Sequence, residues 1–331
     1  MKKLCVIVNV FGLYQVYIPL FVLSWLRAYP YVDIRIYLND KIAPTVQRQL
    51  DLFNCTDRVF ITENVLNLVG LSDKAAANID ISKCIRWLVY ESVFEEYDAL
   101  YIGDIDIIIA KESEDIFDQH MRHCRALSLP YSNIVRTKHF PSPYKPHSIV
   151  RNIMRYGARN MFRSLGRGRY VPFRLSGLHF INTTQYLSAI KPQLPIFTQH
   201  LNNMAEGRGT YNVVFFNNEA LLYDMIHASG MGVPRYTSDN GYIYEQDPES
   251  EFFRPHHGIH VGIFRNAKDP LYNRGEWKGL VKSENYKSYY NDFLELCRTD
   301  EYKKIQPHFN EFLTEQLIRI HDVMGIKNKY S

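Results

Sequence analysis

Cysteine is scarce in this 331-residue chain: five residues, an odd number, at positions 5, 55, 84, 124 and 297. No CxxC pair and no zinc-like spacing occurs among them, which excludes a disulfide scaffold and a zinc ribbon. They read as reduced thiols of a cytoplasmic protein. Long apolar runs are equally rare. The one extended uncharged stretch, Cys5 to Leu26, is interrupted by Asn9, Gly12, Gln15 and Pro19 and is followed by no small-residue cleavage site. It divides into a strand, a loop and a helix more naturally than into a membrane span or signal peptide. Internal repeats and low-complexity tracts are missing too. A hydrophobic content of 46% and a charged content of 22% fit a soluble globular protein.

Acidic residues are absent from one long segment. Between Gln119 and Ala205 there is no Asp or Glu, whereas Arg and Lys contribute 13 positive charges; with a formal net charge of +4 overall, the remainder carries −9. Such a segment is suited to meet something anionic. Within it Arg151, Arg155, Arg159, Arg163 and Arg167 recur every four residues around Ile153, Met154, Met161, Phe162 and Leu165. If helical, residues 149–169 form an amphipathic cationic surface able to lie on an anionic membrane face; the alternative is a solvated lid helix. No nucleic-acid motif accompanies the charge, so no nucleic-acid partner is expected.

What is present alternates between strand and helix signals. "KLCVIVNV", "VDIRIYLND", "DRVFIT" and "ALYIGDIDIII" read as strands, separated by helices over 16–28 and 44–53 and by one long helix, "DISKCIRWLVYESVFEEYD". Its Ile85, Leu88, Val89, Val93 and Phe94 make one apolar stripe. This order predicts an α/β fold with a mixed, mostly parallel sheet flanked by helices. Further on come a helix capped by Ser113, a strand Gly177 to Ile181, a helix from near Asn217 to Gly230, and amphipathic helices beyond Ser283. The expected division is one α/β domain over 1–280, with a basic insertion at 119–175, and a helical C-terminal extension over 281–331.

Asp104 and Asp106 stand inside the most apolar of these strands. The strand period of two places both carboxylates on one face, where like charges share a proton or hold a cation. Hard oxygen ligands at this spacing suit Mg²⁺ or Mn²⁺, which in turn bind phosphate oxygens. A haloacid-dehalogenase-type phosphohydrolase also uses Asp-x-Asp, but on its first strand and with a threonine where this chain has Ile108.

The run "SKCIRWLVYESVFEEYDALYIGDIDIII" resembles the segment leading into the metal-binding Asp-x-Asp of GT-A fold glycosyltransferases, particularly glycosyltransferase family 8. "SGLHFIN" and "HVGIFR" are similar to two further blocks of that family, in the same order along the chain. The resemblance implies a GT-A, Rossmann-like architecture and a metal-dependent transfer of sugar from a nucleotide-diphosphate sugar, by the family's habit a UDP-sugar, to a glycan or lipid-linked acceptor with retention of configuration. It implies metal ligation of Mn²⁺ or Mg²⁺ by Asp104, Asp106 and His260, with His256 and His257 as alternatives to the last. It implies donor contacts from Asn9, Tyr14, Arg86, Asp104, Ser176, Gly177, Asn182 and Gly262. Arg265 takes the place of the family's diphosphate-neutralising lysine. Glu219, with Asn218 before it, takes the position presented under the sugar; an acid in the first turn of a helix also simply complements its dipole. A non-catalytic membrane- or glycan-binding protein on the same fold is the other reading.

Overall fold

The computed structural model describes residues 2–53, 57–137, 173–208, 218–234, 257–266 and 283–325. Strand β1 (Leu4–Val10) explains the layering. Leu4, Val6, Val8 and Val10 enter one apolar cluster, and Cys5 and Ile7 enter another on the opposite face. A strand buried on both faces loses the polar alternation of a surface strand, which is why this segment reads as a continuous apolar run. Strands β2 (Asp33–Leu38), β3 (Val59–Thr62) and β4 (Ala99–Ile102) join β1 in parallel, in the order β3-β2-β1-β4.

One cluster is filled by the Ile18–Ala28 helix, with Phe21, Val22 and Trp25, and by the C-terminal helices Glu284–Arg298 and Glu311–Gly325, through Tyr286, Phe293, Leu317 and Ile320. The other is filled by Ile85, Trp87 and Leu88 and by Leu221, Leu222 and Met225 of the Asn218–Ala228 helix. Each such side chain contributes roughly 2 kcal/mol of burial. No helix among the described residues is long and apolar enough to cross a membrane; the Cys5–Leu26 stretch is β1, a 3₁₀ turn at Gly12–Tyr17 and the 11-residue helix Ile18–Ala28. The described cysteines are free, and Cys5, Cys84 and Cys124 are buried.

Three expectations about elements are corrected. The long helix before β4 is three short pieces, Ile79–Ser82, Ile85–Leu88 and a 3₁₀ turn at Ser92–Glu96, because the chain becomes extended at Val89 (φ −66°, ψ 126°). The run "ALYIGDIDIII" is not one strand. β4 ends at Ile102, and Ile107–Ile109 forms β5, which leaves the main sheet. Asp104 and Asp106 therefore lie in the link between two strands, and period-two geometry does not govern them. The helix after β5, Ile116–Leu127, is capped by Asp115, whose carboxylate accepts from Phe117 N at 3.0 Å, and not by Ser113.

The remaining strands are β6 (Tyr131–Ser132), β7 (Val135–Thr137), β8 (Phe173–Leu175), β9 (His179–Asn182) and β10 (Gly258–His260). β9 joins β4 antiparallel, β6 follows it, and among the described residues the main sheet has six strands. β7 and β8 pair antiparallel and bracket the span 138–172. The cationic segment 149–169 lies outside the described residues, as do His256 and the side chain of Arg265. β10 pairs antiparallel with β5 in a ribbon of its own. Gly258 is required there, since a Cβ would stand 2.0 Å from the Ile108 carbonyl oxygen.

Candidate functional site

In sheets of this kind, ligands gather beyond the carboxyl ends of the parallel strands. Three features of this chain meet there: the link 103–106 after β4, the end of the β5–β10 ribbon, and the Ser176–Leu178 turn before β9.

The ribbon brings Asp106 and His260 together. His260 lies opposite Ile107 in the register, and Val261 N donates to the Asp106 carbonyl at 2.8 Å. Asp106 is 7% exposed, and its Oδ1 stands 3.4 Å from His260 Nε2. That is longer than a charge-assisted N–H···O contact of about 2.8 Å. It is close to the spacing of neighbouring ligands on one small divalent ion, about 3 Å for metal–ligand bonds near 2.1 Å. Gly262 closes the same point. A Cβ there would lie 2.6 Å from Asp106 Oδ2 and 3.0 Å from His260 Nε2. The carboxylate and imidazole thus share a space that only a glycine leaves open, and the donor set fits a divalent cation.

Asp104 is engaged differently. Arg86, from the Ile85–Leu88 helix, donates through Nη1 to Asp104 Oδ1 and, at 3.4 Å, to the Gly103 carbonyl. Its guanidinium lies over the Trp87 ring, 4.6 Å from the centroid. The Arg86 side chain is one-tenth exposed and the Asp104 side chain one-third exposed. The expected trio of ligands does not converge: among the described residues no group of three or more His, Cys, Asp or Glu is gathered to hold a metal ion. Arg86 engages the first acid, while Asp106 and His260 face one another.

Gly177 sits against Arg86. A Cβ on it would stand 3.0 Å from Arg86 Nη2, and its N–H donates to Glu219 Oε1 at 3.1 Å. Arg86, Gly177 and Glu219 are therefore neighbours, with Asn218 opening the helix that carries Glu219. Ser176 is fully buried and belongs to the turn itself, its hydroxyl accepting from Leu178 N at 3.4 Å. Asn9, next to last in β1, ties it to β2, donating to the Tyr37 carbonyl and to Asn39 Oδ1, both at 3.0 Å. Tyr14, half-buried, packs against the rings of Phe11 and Tyr17 in the loop after β1.

Asn182 is not part of this site. β9 runs antiparallel to β4, so His179 pairs with Ile102 while Asn182 pairs with Ala99, at the amino end of β4. Three strand steps, roughly 10 Å, separate it from the carboxyl end.

Sequence reasoning missed Asn133. Fully buried, its Nδ2 donates to the Ser176 carbonyl at 3.1 Å and to the Leu178 carbonyl at 3.2 Å, and its Oδ1 accepts from Ser176 N at 2.8 Å. One amide thus holds the turn that presents Gly177. No spacing rule signals it, because its partners lie more than forty residues away.

No protein-family model matches the sequence, and no curated relative does. Solved structures with a similar fold include the galactosyltransferase LgtC in complex with donor and acceptor sugar analogues, 12% identical over 71% of this chain and 73% of that one, with a TM-score of 0.38. They also include the mannosyltransferase Ktr4p from S. cerevisiae in complex with GDP, 9% identical over 68% of this chain and 66% of that one, with a TM-score of 0.42. The glycosyltransferase GlyE of Streptococcus pneumoniae TIGR4 is 11% identical over 93% of this chain and 64% of that one, with a TM-score of 0.40.

Proposed function

We propose that this chain is a metal-dependent glycosyltransferase that moves a sugar from a nucleotide-diphosphate sugar, a UDP-sugar by preference, to a glycan or lipid-linked acceptor. The observation that carries the reading is the Asp106–His260 pair, 3.4 Å apart beside a glycine with no room for a side chain, at the end of the sheet where nucleotide ligands gather.

Asp106 and His260 would hold the cation, Mn²⁺ in preference to Mg²⁺ because one ligand is an imidazole. A cation held there would supply stabilisation of the negative charge on the departing nucleotide. Arg265 adds a second positive charge in this reading. Arg86 pairs with Asp104, and Gly177 N donates to the Glu219 carboxylate. In this reading these acids would accept hydrogen bonds from donor-sugar hydroxyls. With no strongly basic group required, the leaving phosphate takes the acceptor's proton, and configuration is retained. The cationic segment 149–169 would bring the protein to a membrane face carrying the acceptor, and the protein would act in the cytoplasm.

Isothermal titration of the full chain with UDP tests the proposal. Binding should appear with Mn²⁺ and vanish with excess EDTA, and purified protein with Mn²⁺ should slowly release free sugar from at least one UDP-sugar. The Arg86–Asp104 pair, which already neutralises one acid, favours a second reading, a glycan-binding protein without activity. Silence across a donor panel, with intact binding of glycans, would establish that reading instead.

A further inference from the structure

Behind β10 runs a continuous line of buried polar side chains that the proposed chemistry does not use. Tyr289 Oη, from the Glu284–Arg298 helix, donates to Glu112 Oε1 at 3.0 Å, and Gln119 Nε2 donates to Glu112 Oε2 at 2.9 Å. His257 Nδ1 stands 2.8 Å from Glu112 Oε1, and His257 Nε2 stands 3.0 Å from His120 Nε2. His120 Nδ1 lies 2.8 Å from Ser132 Oγ, which lies 2.7 Å from His123 Nδ1. Every member is less than one-tenth exposed.

A carboxylate only accepts, so the proton between Glu112 and His257 sits on His257 Nδ1. Burial among other imidazoles depresses the His120 pKa well below the ordinary value, so His120 is neutral and donates through one ring nitrogen only.

His257 is also the residue that enters β10. Its φ of 48° places it in the left-handed region, unusual for a residue with a side chain. Its carbonyl accepts from Ala110 N at 2.9 Å, at one end of a ribbon of three residue pairs that Val261 N and the Asp106 carbonyl close at the other. In so short a ribbon Gly258 opposite Ile109 sets part of the register, and a slip of one residue would turn His260 to the opposite face.

We propose that Glu112 and His257 are positioning residues: their buried contact fixes the register of β10 and thereby aims the His260 imidazole at Asp106. This rests on the reading of Asp106 and His260 as a cation site.

The test titrates the full chain with Mn²⁺ alone, following free ion by electron paramagnetic resonance. His257→Asn keeps an N–H donor where Nδ1 stands and tolerates a positive φ; it should bind Mn²⁺ within about threefold of the wild type. His257→Leu removes the donor and should weaken binding at least tenfold. Because His257→Leu leaves the buried Glu112 carboxylate one hydrogen bond short and can unfold the chain, Glu112→Gln combined with His257→Leu serves as the folded counterpart, with the same tenfold loss and a cooperative thermal transition. Wild-type affinity in either folded Leu variant overturns the positioning role alone. Failure of the wild type to bind Mn²⁺ overturns the cation reading, and the positioning role with it.

Discussion

Gly262→Ala is expected to weaken Mn²⁺-supported binding of a nucleoside diphosphate by about a hundredfold, equivalent to about 2.7 kcal/mol, while leaving the thermal midpoint within a few degrees of the wild type. Gly262 is not among the residues with positive φ, so its backbone accepts an alanine without strain and the substitution tests volume alone. The added methyl carbon would stand 2.6 Å from Asp106 Oδ2 and 3.0 Å from His260 Nε2, both inside van der Waals contact. Asp106 is tied through its carbonyl to Val261 N, so its side chain has to swing away, or the imidazole does. Either movement separates the two groups meant to share one ion. Asp106→Asn removes the charge without adding volume and should match or exceed the loss. Calorimetric titration with UDP in the presence of Mn²⁺ reads both variants. Unchanged affinity in Gly262→Ala would mean that the glycine is packing only, and that the ion, if bound, sits elsewhere.

The layers of the fold were readable because burial on both sides leaves a plain trace. β1 carries no polar alternation, and the helices flanking it carry apolar stripes whose period survives in the folded chain. The break in the helix before β4 was not readable. Ile85, Leu88, Val89, Val93 and Phe94 keep a helical period, yet the chain extends at Val89, and Glu91 beyond it meets Arg35 of β2 at 3.1 Å. Tertiary partners override local propensity there. Asp104 and Asp106 were found for a sound reason, the rarity of acids in an apolar run, but their separate fates depend on Arg86 and His260, which approach from other parts of the chain. Asn182 was misplaced because a motif read as a string carries no strand direction: antiparallel pairing sends its last residue away from its first. Asn133 and Glu112 gave no signal at all. Each acts through partners far along the sequence, and an isolated Asn or Glu in a strand-rich region has no pattern to distinguish it.

Below pH 6.5 the protein should lose stability steeply, and the cause is two histidines that folding keeps neutral. His179 is fully buried on β9. The Asn133 amide that donates to the Ser176 and Leu178 carbonyls also stands 2.8 Å from His179 Nδ1, so that nitrogen accepts and carries no proton. His179 Nε2 is 3.0 Å from Tyr186 Oη. Burial lowers the His179 pKa to about 3, and burial with neighbouring imidazoles lowers that of His120 as well. In the unfolded chain both titrate near 6.5. Between that value and the depressed folded one, the unfolded state binds more protons, so stability is fully present above pH 6.5 and falls as pH falls toward 3. His179 contributes about 1.4 kcal/mol per pH unit in that window, on the order of 2 kcal/mol at pH 5, and His120 adds to the loss in the same direction. Urea midpoints measured at pH 7, 6 and 5 should therefore drop at every step. His179→Gln, which keeps a donor toward Tyr186 but cannot titrate, should reduce the slope by about one proton's share. A midpoint that stays level from pH 7 to 5 would show that these imidazoles already carry protons in the native protein, and that the hydrogen-bond directions assigned around Asn133 are reversed.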